Sequence, residues 1–292
     1  MPTIRYTITE REAGRTVKSI ALKEMRLSRG MFSSLKFQNG VLLDGKPVRA
    51  DVRLTPGQIL SVTWEDGAQS PLEPALDVPF SIAFADEHYL ILDKPAPLPT
   101  LSSARQSGPT LENALYARLG CPKNYVFRPV NRLDKGTSGL LCAALDAHAQ
   151  QRLQRQLHSP DFLREYLAVC EGTPPEDSGV IDLPLAKAAD GIRREVRGDG
   201  LRAVTHYRVE QAGNGRALLR VRLETGRTHQ IRAHLRALGC PIVGDYLYGA
   251  PDPALPGRFA LHSCLIRFAH PFTGEIICRE SPLPAEIAAL LR

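Results

Sequence analysis

The chain of 292 residues contains no apolar run long enough to cross a bilayer as a helix, which takes about 20 consecutive apolar residues. Its start, MPTIRYTITEREAGRT, has no continuous apolar stretch behind a basic segment, so no secretory signal is expected and a cytoplasmic location is. The six cysteines (Cys121, Cys142, Cys170, Cys240, Cys264 and Cys278) include no CxxC pair and form no local ligand quartet. Reduced, mostly buried thiols are expected, and a zinc site is not. His229 and His234 stand five apart, outside the H-E-x-x-H arrangement, so metal binding is not expected there either. No G-x-G-x-x-G follows the first strand, DKGTSG lacks the full phosphate-loop pattern, and no G-x-S-x-G occurs. Those absences speak against a nucleotide cofactor and against an α/β-hydrolase. Internal repeats and low-complexity tracts are also missing.

What is present begins with charge. The net charge is +6, and it is concentrated. Between Arg15 and Trp64 nine basic residues (Arg15, Lys18, Lys23, Arg26, Arg29, Lys36, Lys46, Arg49 and Arg53) face only Glu24, Asp44 and Asp51, which accounts for the entire excess. A basic module of this kind suits a polyanion, most naturally nucleic acid. Its pattern predicts a helix from Val17 whose apolar positions run on to Leu27, and a second helix capped by Ser28. A hairpin follows, turning at Asp44-Gly45, and then a closing strand in LTPGQILSVTW. The stretch EDGAQSPLEPALDVP is rich in Pro, acid and small residues and reads as a linker over residues 67–79.

From residue 80 short strands dominate, with helices between them. Two strands flank an Asp-Glu turn in FSIAFADEHYLILDKP, and TLENALYARL is a helix with Thr110 as its cap. GLLCAAL is a buried strand, DAHAQQRLQRQL a helix capped by Asp146, and EYLAVCEG a strand. VTHYRVEQ and RALLRVRLET pair around Gly213-Asn214-Gly215, and THQIRAHLRALG is a helix that ends at Gly239. The fold expected is α+β, with a mixed, mostly antiparallel sheet in a catalytic domain over 80–292 and a small α+β module over 1–66.

Three clusters carry candidate chemistry. In RPVNRLDKGTSGLL, Arg132 and Asp134 stand at the mouth of a turn; Gly136 and Gly139 allow close backbone packing, and a strand from Leu140 anchors the loop. A lone loop aspartate is usually only a turn residue. In LETGRTHQIRAHL a strand passes through Thr225-Gly226 into a helix bearing Arg232 and Arg236, with Arg227 at the turn. Arg232 is either part of a solvated basic face or a guanidinium paired with a buried carboxylate. In LREYLAVCEG, Tyr166 is either a half-buried strand residue or a ring that stacks on a base.

Together, in this order, the clusters resemble the RluA-type pseudouridine synthases, which isomerise uridine to pseudouridine in structured RNA. The matching stretches are ILDKP, NRLDKGTSGLL, REYLAVCEG, TGRTHQIRAHLRALGCPIVGDYLYG and LHSCLIRFAHPFTGE, spanning about residues 80–290. The helix-helix-hairpin layout before them resembles the alpha-L RNA-binding domain. The resemblance implies that Asp134 is the catalytic aspartate and that Arg132 enters the RNA helix in place of the flipped base. It also implies that Tyr166 packs against the target base and that Arg232 salt-bridges the aspartate. Two departures are Asn131, where the family often has His, and APLPTLSS after the DKP triplet. Lys135, Arg227 and His229, with Lys18, Lys23, Arg26, Arg29 and Lys36 of the N-terminal module, are expected to contact RNA. The partner implied is ribosomal or transfer RNA, handled by a monomer that uses no cofactor and no metal. A catalytically silent RNA-binding protein on the same fold is the alternative; it would be favoured by loss of the aspartate, arginine or tyrosine, and all three are here.

Overall fold

The computed structural model describes residues 3–64, 72–102, 108–157 and 159–292. Of the expected linker, residues 67–71 lie outside the described residues. Leu72 and Val78 are packed on the large core that follows, and the Glu73 carbonyl accepts the Asn113 side-chain amide at 2.8 Å.

Thr16 and Ser28 start the two N-terminal helices. Their hydroxyls accept the backbone N–H groups of Ser19 and Met31, and the helices run Val17–Lys23 and Arg29–Phe37. Each satisfies a donor the first turn leaves free. The helical pattern expected as far as Leu27 stops at Lys23, and Arg26 turns the chain with φ +55°. Burial explains the break. Met25 and Leu27 both enter the core, and on a helix two residues spaced by two would point about 200° apart. Asp44 and Gly45, both at positive φ, close the hairpin between Val41–Leu43 and Lys46–Pro47. A strand the sequence pattern did not signal, Thr3–Thr7, pairs with Ile59–Thr63 and completes a four-stranded sheet.

The large sheet has ten strands among the described residues. In spatial order its main path runs Ser178–Asp182, Val204–Gly213, Arg216–Leu223, Leu163–Glu171, Leu261–Ala269, Ser138–Ala144, Tyr89–Lys94 and Ser81–Ala85. Every described pairing is antiparallel except one, in which Ser138–Ala144 lies parallel to Leu261–Ala269. The mixed, mostly antiparallel character expected is therefore present, and the parallel seam is where the candidate site lies. All seven residues of Ser138–Ala144 are buried, because the strand divides its side chains between two cores. Leu141 and Ala143 pack with the helices Leu111–Arg118 and Gln230–Ala237, whereas Leu140, Cys142 and Ala144 pack with Ala147–Gln156. A strand covered on both faces reads as a continuous apolar run for that reason. None of the described helices is long and apolar enough to cross a membrane.

Candidate active site

The loop Asn131–Thr137 enters that central strand and is held from several sides. Asn131 Oδ1 accepts the Cys142 amide at 2.9 Å, Thr100 Oγ1 donates to the Leu133 carbonyl at 2.8 Å, and the Leu98 amide donates to the Lys135 carbonyl at 2.9 Å. Asn131 thus has a structural task, and the divergent APLPTLSS segment supports the loop through Leu98 and Thr100. A Cβ at Gly136 would sit 2.5 Å from the Phe259 ring, and one at Gly139, where φ is +102°, would overlap the backbone of Ser263. Only glycine allows the loop to lie this close.

Asp134, part-exposed, projects into a cavity of about 630 Å³ lined also by Arg132, Tyr166, Arg227, His229 and Arg232. That volume lies within the range of small-ligand sites. Arg232 Nη1 donates to Asp134 Oδ2 at 3.0 Å. Its Nε and Nη2 donate to Asp245 Oδ2 and Oδ1 at 2.7 and 2.9 Å, a two-pronged pair with a carboxylate that is fully buried. The guanidinium also lies over the Phe259 ring, 4.3 Å from its centroid. Burial works against the charge of Arg232, but hydrogen bonds to Asp245 and the Asp134 carboxylate overcome it and hold its pKa above the ordinary arginine value. The solvated-face reading of Arg232 is therefore wrong for this helix; Arg236, one turn on, is the exposed member.

Tyr166 is placed by register. It pairs with Ser263, which pairs in turn with Gly139, so the tyrosine and the loop exit share one row across three strands. It is 4% exposed, and burial raises its phenol pKa, leaving a hydrogen-bearing hydroxyl at neutral pH.

His229 sits at φ +56° just before the helix, its Nε2 3.9 Å from Asp134 Oδ2 and its Nδ1 3.1 Å from the Tyr248 hydroxyl. Burial lowers its pKa despite the nearby Asp134 carboxylate. Arg132, Lys135 and Arg227 are exposed at the rim, and Arg227 Nε donates to the Arg202 carbonyl at 3.0 Å. Lys18, Lys23, Arg26, Arg29 and Lys36 are all exposed in the N-terminal module, away from this cavity, and among the described residues none of them is in an ion pair.

Two residues at the centre were missed from sequence. Asp245 lies in the stretch GCPIVGDYLYG but carries no local sign of pairing with an arginine thirteen positions earlier. Lys94, in ILDKP, is fully buried, and its ammonium donates to the carbonyls of Leu98 at 2.6 Å and Pro95 at 3.0 Å. Burial lowers its pKa to about 7, and the neighbouring Asp134 charge opposes that shift. Gln230 is also structural: its Oε1 accepts the Arg227 amide at 2.9 Å, and its Nε2 donates to the Val204 carbonyl at 3.0 Å.

Residues 88–237 match the family described as RNA pseudouridylate synthase. The ribosomal large subunit pseudouridine synthase D of Xanthomonas campestris is 36% identical over 97% of this chain and 90% of its own length. Its counterpart in Nitrosomonas europaea is also 36% identical, over 99% of this chain and 87% of its own. Among solved structures, human RNA pseudouridylate synthase domain containing 1 superposes with a TM-score of 0.57 at 26% identity, covering 72% of this chain and 86% of that one. The chain belongs to the RNA pseudouridylate synthase family, and it is an isomerase acting on RNA.

Proposed function

We propose that this enzyme converts uridine to pseudouridine in the RNA of the large ribosomal subunit, with Asp134 as the catalytic carboxylate. The observation that carries the assignment is the Asp134–Arg232 pair at 3.0 Å on the wall of a cavity shared with Tyr166. The ribosomal target is supported by the names of the bacterial relatives; transfer RNA is the other substrate to map. The reaction breaks the bond from ribose to the base nitrogen, turns the uracil and rejoins it through carbon 5, whose hydrogen is released. No external electron or group donor enters that balance. Asp134 serves either as a nucleophile on ribose or base, or as the base that removes a ribose proton, and the pair with Arg232 positions it for each.

Uracil inside a helix is out of reach of a recessed carboxylate, so the nucleotide is extruded into the cavity. Tyr166 packs against the extruded base, while Arg132, exposed and two residues from Asp134, occupies the vacated place in the stack. Lys135, Arg227 and His229 contact RNA around the mouth. The N-terminal module, of alpha-L type over residues 1–66, anchors the RNA farther out, and a monomer in the cytoplasm suffices for the task. The decisive experiment maps pseudouridine in total RNA with and without the protein, then follows tritium release from RNA labelled at uridine carbon 5. Asp134→Asn should fold and bind RNA but lose more than about a hundredfold in rate. Substantial turnover by that variant would remove Asp134 from the chemistry.

A further inference from the structure

Among the described residues, Arg164 is a buried cation without an anion. It is 3% exposed, lines the active-site cavity and lies two residues before Tyr166, on the same face of the strand Leu163–Glu171. Its Nε has no hydrogen-bond partner among the described residues. Among the described residues its polar contact is one long hydrogen bond, from Nη2 to the Leu157 carbonyl at 3.3 Å, and no carboxylate pairs with it. The adjacent acid is no help: Glu165 projects from the opposite face and is paired with Arg220 at 2.9 Å. Arg232, in the same cavity, shows the contrast, since two carboxylates hold it.

A guanidinium buried this way loses its water and receives in return one long hydrogen bond and the face of the Phe162 ring, 5.8 Å from its centroid, which leaves the charge uncompensated unless an anion completes the site. We infer that Arg164 is the phosphate-binding residue of the cavity and takes a phosphodiester oxygen of the extruded nucleotide. The inference rests on the cavity being the uridine site, and it names what the site reads besides the base. With Tyr166 against the ring and Arg164 one pleat farther along the same strand face, base and backbone phosphate are gripped together. The planar fork of arginine suits phosphate oxygens, and Arg164 lines the cavity with most of its donors uncommitted among the described residues. Because the contact is buried, it resists screening by salt, unlike contacts made by the exposed Arg132, Lys135 and Arg227.

The test requires no knowledge of the target RNA. Uridine, uridine 5′-monophosphate and uridine 3′-monophosphate are titrated into the full-length protein by calorimetry at high salt. Wild type should bind one of the monophosphates about tenfold to a hundredfold more tightly than uridine, the range for hydrogen bonds to a charged group. Arg164→Gln should abolish that preference while leaving uridine affinity unchanged. A wild-type protein that does not distinguish the monophosphates from uridine overturns the inference. So does an Arg164→Gln variant that keeps the preference and loses only thermal stability, the outcome for a residue that merely supports the end of helix Ala147–Gln156. Should the Gln variant fail to fold, Arg164→Lys decides: a reduced preference at unchanged uridine affinity supports the assignment, and an undiminished one overturns it. An Arg164-dependent preference in a protein that forms no pseudouridine would sink the functional reading and spare the phosphate site. Pseudouridine formation with an Arg164-independent preference would do the reverse.

Discussion

Arg232 lies between two carboxylates, one half-open to the cavity and one fully buried. Replacing it by Met strands both, and losing one partner of a buried ion pair costs about 3–5 kcal/mol. Arg232→Met should therefore lower both the denaturation midpoint and the single-turnover rate. Arg232→Lys should retain more of each but fall short of wild type, because the three donors of an ammonium sit on one nitrogen and cannot match the three separate nitrogens with which Arg232 reaches Asp245 twice and Asp134 once. Arg236→Ala, at the exposed position, should act weakly and through RNA affinity. Equal losses for Arg232→Met and Arg236→Ala would remove the special role of the pair. Lys94 gives a pH prediction. Its amine titrates at about 7 in the folded protein and at about 10.4 in an unfolded chain. Between those values the unfolded state holds the extra proton, so this group makes the protein more stable as pH rises. Wild type should gain stability relative to Lys94→Met from pH 7 to 9, by up to about 1.4 kcal/mol per unit. Parallel melting curves at both pH values would refute this.

At the scale of the element, the parallel seam decides where the candidate site sits. Strand Ser138–Ala144 brings the Asp134 loop to the middle of the sheet, and its neighbour Leu261–Ala269 carries the row on to Tyr166. Gly139 permits that seam. With φ at +102° and the Ser263 backbone where a Cβ would stand, Gly139→Ala combines backbone strain with overlap against a strand that cannot swing away. We expect a loss of more than about 2 kcal/mol in denaturant titrations, with the residual folded protein impaired in turnover. Gly45→Ala, in the exposed hairpin with open space around it, should cost less and leave turnover unchanged.

The whole molecule joins a basic module to a recessed site. The two bodies touch where His148 Nε2 meets the Met25 carbonyl at 3.1 Å and Trp64 lies edge-on to the His148 ring. Lys18, Lys23, Arg29 and Lys36 lie outside that junction and are exposed. Changing all four to Gln should reduce the log–log salt slope of RNA binding by about 0.9 for each duplex phosphate that the module no longer neutralises. The single-turnover rate at saturating enzyme should be preserved. An unchanged slope would mean that the module is not the RNA anchor.

The sequence by itself determined the parts with a local signature. Caps at Ser28, Thr110 and Asp146 set helix starts, Asp44-Gly45 set a hairpin, and the apolar run Leu140–Ala144 marked a strand covered on both faces. Asp134, Tyr166 and Arg232 were legible as candidates because their residue types recur in a resemblance built on short, dense motifs, and all three line one cavity. Tertiary structure alone decided whatever depends on partners far along the chain. Met25 and Leu27 broke a helix because the core required both on one side. Thr3–Thr7 became a strand only because the edge of Ile59–Thr63 was open to it. Asp245, Lys94 and Arg164 carry no local pattern. Their roles come from burial and from which neighbours do or do not neutralise them, and a buried charge acquires its meaning only when the folded chain fixes its surroundings.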